Sequence, residues 1–353
     1  MTVTESSSRV RLGSPQALPG AARAAVLAGH TAVRAERLPG LDALRAVAAA
    51  CVAVMHLGAI YGTPSLISSA YLAVDLFFLL SGFVMARTYE QRMRARRIGP
   101  GAFFAARYRR LWPTMVIGAA LSLPFLIRDS ASLAIAAQSA ILNILLLPAF
   151  AAPEIFPLNT PAWSIFFELL ANFAHALLIW RVGRTGLAIL VLLAGCSLIA
   201  CALHFGHLDI GSRQDNMIGG LARVAFAYGL GVLLWRLHGD RAPLAVPAWL
   251  GLLAMPVLFA AASWLGLRGW IFDLPFVIMA CPLMLWASLR FDAPRLAGVA
   301  SFAGALSFPL YAVHYPLLLG AEALKLPEAV AAILALLGAA AAMVAAERMG
   351  RRR

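Results

Sequence analysis

The sequence predicts an all-α polytopic membrane protein of about ten transmembrane helices with both termini cytoplasmic, and three observations carry that prediction. Hydrophobic residues make up 62% of the chain and charged ones 13%, against roughly 45–50% and ~25% in a soluble domain. Apolar runs near the ~20 residues needed to cross a bilayer recur from Leu41 to Ala346. The arginines gather between alternate runs, as the positive-inside rule requires. That distribution also accounts for the net charge of +13. Basic residues scattered between apolar segments orient a membrane protein, and no nucleic-acid partner is expected.

In chain order, residues 1–37 are rich in Ala, Ser, Gly and Arg and hold no apolar core of signal-peptide length, which predicts a disordered cytoplasmic tail. Residues 38–347 form the transmembrane domain, and 348–353 a short basic cytoplasmic tail. The firm spans are 41–61, 69–86, 111–127, 161–180, 185–205, 217–235, 245–264, 270–289, 300–320 and 327–346. The run 131–149 is ambiguous, because it is apolar enough to span or to lie in the interface. Charge decides against a crossing there. With ten spans the later inside segments carry ten arginines, and the later outside segments carry Arg213, Arg268 and Lys325. An eleventh span would reverse that bias. Cys51, Cys196, Cys201 and Cys281 all fall inside spans, so neither a disulfide framework nor a cysteine metal site is expected.

An ionisable group in hydrocarbon costs several kcal/mol, so each one is a candidate for function. The first span holds Arg45 and His56, eleven residues apart. That is close to three helical turns, which puts both on nearly one face about 16 Å apart along the axis. Arg45 could equally reach the interface beside Asp42, with His56 a satisfied bundle histidine. In the second span Asp75 needs a cationic partner such as His56 or an arginine, and Ser81-Gly82 suits close helix packing. Arg107, Arg109 and Arg110 stand at the mouth of the third span. Their guanidinium forks suit phosphate, although topogenic charge alone would also explain them. Trp163 and Ser164 begin the fourth span, and Glu168 lies a turn and a half deeper, where it must be paired or protonated. In the ninth span Pro309 and Pro316 flank Tyr311 and His314, at a depth comparable to His56. Arg223 in the sixth span needs a partner. His204, His207 and Asp209 sit at a span end where solvated residues are ordinary, and no metal is expected.

In this order the segments resemble the acyltransferase 3 family of bacterial integral-membrane O-acyltransferases. The resemblance rests on Arg45 with His56, on Val74-Asp75-Leu76-Phe77-Phe78-Leu79-Leu80-Ser81-Gly82-Phe83, and on the arginine cluster ending in Trp112-Pro113. It rests further on Trp163-Ser164 with Glu168 and on Leu310-Tyr311-Ala312-Val313-His314-Tyr315-Pro316, and covers residues 38 to about 345. It implies transfer of an acyl group, usually acetyl, from cytosolic acyl-coenzyme A to a hydroxyl of an extracytoplasmic or membrane-associated acceptor. The acceptor class is a saccharide, a glycolipid or a small hydroxylated molecule. The resemblance also implies residence in the bacterial inner (cytoplasmic) membrane, and it links Arg45, His56, Arg107, Arg109 and Arg110 with activity. Ala73 stands where the family usually has glycine. The esterase-like domain fused to some members of that family is not expected after the last span, which leaves room for a separate extracytoplasmic transfer protein.

Thioester chemistry assigns the remaining roles. Arg107, Arg109 and Arg110 are expected to bind the phosphates of acetyl-CoA and Arg45 to steer its arm. His56 is expected to act as base or nucleophile with Asp75 or Glu168 fixing its tautomer. Trp163, Ser164, Arg223, Tyr311 and His314 are assigned to the acceptor side. The alternative is a proton-coupled transporter or lipid-linked glycan flippase using His56, Asp75 and Glu168 as a relay. The absence of visible internal repeats weighs against it.

Overall fold

A computed structural model describes residues 37–351, so the expected tail 1–37 falls, apart from Arg37, outside the described residues. The described chain forms α1 Pro39–Tyr61, α2 Ser68–Arg94, α3 Pro100–Asp129, α4 Leu133–Ile144, α5 Ala162–Leu177 and α6 Arg184–Phe205. There follow α7 Met217–His238, α8 Ala248–Leu265, α9 Trp270–Leu289, α10 Pro294–Ala323 and α11 Glu328–Arg351. Among the described residues there is no strand, only an isolated bridge between Glu154 and Arg213. An all-helical answer is what hydrocarbon demands, because each backbone N–H and C=O must be satisfied within its own segment.

Nine of these helices have the length and apolarity to cross a membrane. The run 131–149 does not make a crossing. Its helix α4 has 12 residues, about 18 Å against a hydrocarbon core of ~30 Å. The chain then leaves α4 through a strap whose turns are held by Asn143. Its Oδ1 accepts from Leu158 N at 3.1 Å, and its Nδ2 donates to Leu147 O at 3.1 Å and Ile155 O at 3.3 Å. The expected span 161–180 is shorter than its apolar run suggested. The α-helix stops at Leu177, and a 3-10 turn, Ile179–Arg181, completes the segment.

Even so, α5 passes from one end of the bundle to the other. Its first turn meets Tyr311, while His175 near its last turn lies 3.5 Å from Glu90 at the close of α2. Counting it as a short pass gives ten traversals. The beginning of α11 is tied to the end of α1 by Tyr61 Oη donating to Leu326 O at 2.9 Å. The free ends of α1 and α11 therefore lie at one end of the bundle, which also carries Arg87, Arg107, Arg236 and Arg241 and is called the arginine-rich end below. The far end holds the strap, the 206–216 loop and the α8–α9 turn.

The helix α2 is the axis of the molecule. Of its most apolar stretch 83% is buried, against 22% for α6, α8 and α11, whose leucines such as Leu192, Leu193, Leu253 and Leu337 face outward. A helix apolar all round belongs in a core. Two glycines let α2 and α7 approach backbone to backbone. A Cβ on Gly82 would collide with Tyr228 O, and one on Gly231 with Leu79 O. The same device seats α3 on α10, where Gly118 lies against Ala312 O. The four cysteines are free.

Candidate functional site

Two buried ion pairs brace the bundle on either side of its interior. Asp75 and Arg223 are both wholly buried, with Arg223 Nη2 donating to Asp75 Oδ2 at 2.7 Å and Nε to Oδ1 at 3.1 Å. Arg223 also donates to Ile210 O at 2.8 Å and Tyr71 O at 2.9 Å, and its guanidinium stacks on Trp163 with 5.1 Å to the ring centroid. All three nitrogens of the fork therefore find partners within the protein. At the arginine-rich end Arg236 pairs with Glu90, Nη2 to Oε1 at 2.5 Å, and donates to Val182 O and Ile179 O.

The interior holds two cavities. The inner one, nearer the arginine-rich end, is narrow, about 50 Å³, and is lined by Arg45, Ser81, Arg107, Arg110, Glu168 and Tyr311 among others. Three guanidinium groups face one carboxylate there. Glu168 Oε1 accepts from Arg107 Nη2 at 2.9 Å and from Ser81 Oγ at 2.8 Å, which answers the need of a deep carboxylate for partners. The Nε groups of Arg45 and Arg107 are buried with no hydrogen-bond partner. An excess of positive charge with unused donors is the signature of an anion site. Exposed Arg110 stands at the mouth of this cavity.

The outer cavity is wider, about 430 Å³, and opens toward the far end. Its walls carry His56, Ser68, Tyr71, Thr160, Trp163 and Asp209. His56 is held by a histidine rather than a carboxylate. Its Nδ1 lies 3.0 Å from His314 Nε2, and the two rings are 5.0 Å apart at a tilt of 37°. Tyr315 meets His56 edge-on at 5.3 Å.

Val74 and Tyr311 line both cavities, so they form the partition between them. The Tyr311 hydroxyl is fixed by Pro161 O at 3.0 Å and Ser164 Oγ at 2.7 Å. Ser164 in turn donates within its own first turn to Pro161 O at 3.2 Å. The ring of Tyr311, packed edge-on to Phe77 at 5.8 Å, is therefore held across the passage by its far end.

The sequence-derived residues thus separate into groups. Arg45, Arg107, Arg110 and Glu168 converge on the inner cavity, His56 and Trp163 on the outer one, and Ser164 with Tyr311 at the boundary. One expectation is corrected, and two residues take other positions than the rest. Neither Asp75 nor Glu168 orients His56: Asp75 is consumed by Arg223, and Glu168 by Arg107 and Ser81. Arg223 directs its fork to Asp75 and to the carbonyls of Ile210 and Tyr71. Arg109 does not join the inner cavity and is exposed. On a helix, residues three apart share a face and residues two apart do not, so Arg107 and Arg110 turn inward together while Arg109 turns away.

Residues given no site role from the sequence also matter here. Ser81 is a ligand of Glu168 as well as a packing residue. Asp273, wholly buried, receives the Tyr71 hydroxyl at 2.9 Å and Leu208 N at 2.7 Å, fixing one wall of the outer cavity. Glu90 and His175 are buried at the arginine-rich end. Asp273 and His175 carry the signal applied to the other residues, an ionisable group inside an apolar helix.

Fold and site define a multi-pass helical membrane protein whose charged interior is divided into a cationic chamber and a histidine-bearing chamber. A family model described as an acyltransferase domain matches residues 38–347, and the chain belongs to this acyltransferase 3 family of membrane O-acyltransferases. It is 37% identical over 161 residues to Protein 2 in picA locus of Rhizobium radiobacter, a match covering 40% of this chain and 82% of that protein. No solved structure matches the chain.

Proposed function

We propose that this acyltransferase moves an acetyl group from cytosolic acetyl-CoA to a hydroxyl of a saccharide acceptor on the outer side of the bacterial inner membrane. The observation that carries the reading is the meeting of two chemically different cavities at Val74 and Tyr311. With the arginine-rich end taken as cytoplasmic, as the charge bias requires, the donor enters on the side of Arg45, Arg107 and Arg110. The inner cavity is too narrow for a nucleotide and suits a slender thioester arm. The phosphates would then stay at the mouth with Arg110, where a bidentate guanidinium serves them best. The outer cavity, with hydroxyls and Asp209 on its walls, suits a hydroxyl-rich ring.

The chemistry balances with these residues alone. His56 Nε2 takes the proton of the acceptor hydroxyl as its oxygen attacks the thioester carbonyl. The C–S bond then breaks, an ester forms, and the sulfur leaves as coenzyme A thiolate, which takes back the proton held by the His56 imidazolium. The partition residues keep bulk water from the thioester until an acceptor is in place.

The test uses the purified chain in lipid nanodiscs with radiolabelled acetyl-CoA and a panel of hydroxylated acceptors. Acceptor-dependent release of free coenzyme A with label in the acceptor is expected, and loss of both in His56→Ala. A protein that translocates a glycan across vesicles without consuming thioester would overturn the reading.

A further inference from the structure

The two histidines carry an inference about proton placement. In α10, His314 Nδ1 lies 2.9 Å from Leu310 O and 3.0 Å from Tyr311 O. Carbonyl oxygens accept and cannot donate, so Nδ1 must hold a proton. In a neutral imidazole the other nitrogen is then an acceptor. That acceptor, Nε2, faces His56 Nδ1 at 3.0 Å. Two lone pairs would repel at this distance, so His56 Nδ1 carries the proton and donates it. The lone pair of His56 is thereby left on Nε2. This nitrogen has no hydrogen-bond partner and, unlike His175 Nε2, is not enclosed by protein. It opens on the outer cavity that His56 lines.

We infer that His314 is a positioning residue: it reads the backbone of its own helix turn and imposes on His56 the Nδ1–H tautomer, leaving Nε2 as the reactive lone pair. Free imidazole has a choice of tautomer. Here the choice is made by two carbonyls one turn back on α10, relayed through His314 across the α1–α10 contact. This role is the one a carboxylate plays in many catalytic triads. A neutral relay suits the apolar interior, where a further unpaired charge would be costly to hold. It differs from a substrate contact by His314, because neither ring nitrogen of His314 is free to reach a ligand.

The inference rests on the proposed chemistry of His56, so the experiment separates the two. Neutral-pH 15N spectra of the protein labelled at histidine, in nanodiscs, identify His56 by the signals lost in His56→Ala. A protonated Nδ1 and an unprotonated Nε2 are expected for His56 in the wild type. In His314→Leu, the His56 nitrogens are expected to lose that fixed assignment, and kcat to fall on the order of 10–100-fold with donor KM unchanged, as for other groups that orient a ligand or base. His314→Gln is the rescue variant, since its amide donates to the carbonyls and its oxygen accepts from His56; it is expected to restore the spectrum and most of kcat. A His314→Leu protein with wild-type spectrum and kcat overturns the inference while leaving His56 as base intact, and an Nε2–H tautomer for wild-type His56 overturns both the inference and the use of Nε2 as the base. A fully active His56→Ala would instead overturn the base assignment, with the tautomer of His56 still read from the wild-type spectrum.

Discussion

Arg223 of α7 and Asp75 of α2 form an ion pair with no exposed surface on either side chain, closed at 2.7 Å between residues 148 apart in sequence. The pair ties the central helix to α7, and through Ile210 O and Tyr71 O it also ties the two segments that wall the outer cavity. Breaking one partner leaves the other charged and buried, which costs about 3–5 kcal/mol, whereas replacing both by apolar residues is often close to neutral. Asp75→Asn and Arg223→Met are each expected to lower the thermal unfolding midpoint in detergent strongly. The double variant Asp75→Leu/Arg223→Met is expected to recover most of the loss. Additive losses in the double variant would count against the pair as the source of the effect.

Arg110 and Arg109 are neighbours with opposite surroundings, one at the mouth of the inner cavity and the other exposed away from it. A hydrogen bond to a charged partner contributes roughly 1.5–3 kcal/mol. Arg110→Ala is therefore expected to raise the donor KM about 10- to 100-fold. Arg109→Ala is expected to leave it within about twofold. Steady-state kinetics with acetyl-CoA as the varied substrate decides between them.

Tyr311 separates the two chambers and is pinned by Pro161 O and Ser164. Removing its ring joins the cavities and admits water to the thioester. Tyr311→Ala is expected to release coenzyme A without acceptor, while transfer to acceptor falls by about 10-fold or more. Tyr311→Phe keeps the ring, and it is expected to remain coupled with a modest loss of stability from the lost hydroxyl contacts to Pro161 O and Ser164, about 1 kcal/mol. Counting free thiol against labelled product measures the coupling.

Gly82 lies against Tyr228 O, where a methyl group has no room. Gly82→Ala must push α2 from α7, and overpacking of this kind costs about 1–3 kcal/mol. Gly101, with open space around its Cβ position, is the matched control. Its alanine variant is expected to unfold at the wild-type midpoint or slightly above.

Much of this architecture was legible before any coordinates. Segments that cross hydrocarbon must be helical and apolar, so composition and run length located the passes, and the charge bias counted 131–149 out of them. The cost of buried charge likewise singled out Arg45, His56, Asp75, Glu168, Arg223 and His314 as a set. The inward turn of Arg107 with Arg110, away from Arg109, was implicit in helical spacing.

Partnership was not legible, and the reason is physical. A burial cost says that Asp75 needs a cation, but an arginine 148 residues away and a histidine one helix away satisfy the same requirement. Which one is used depends on the rotation and approach of α2 and α7, set by glycines packed against carbonyls. The division of the interior into two chambers, the role of Tyr311 between them and the contact of His56 with His314 arise in the same way. Sequence alone determined what kinds of groups the membrane interior must hold; only the packing of ten passes decided which of them touch.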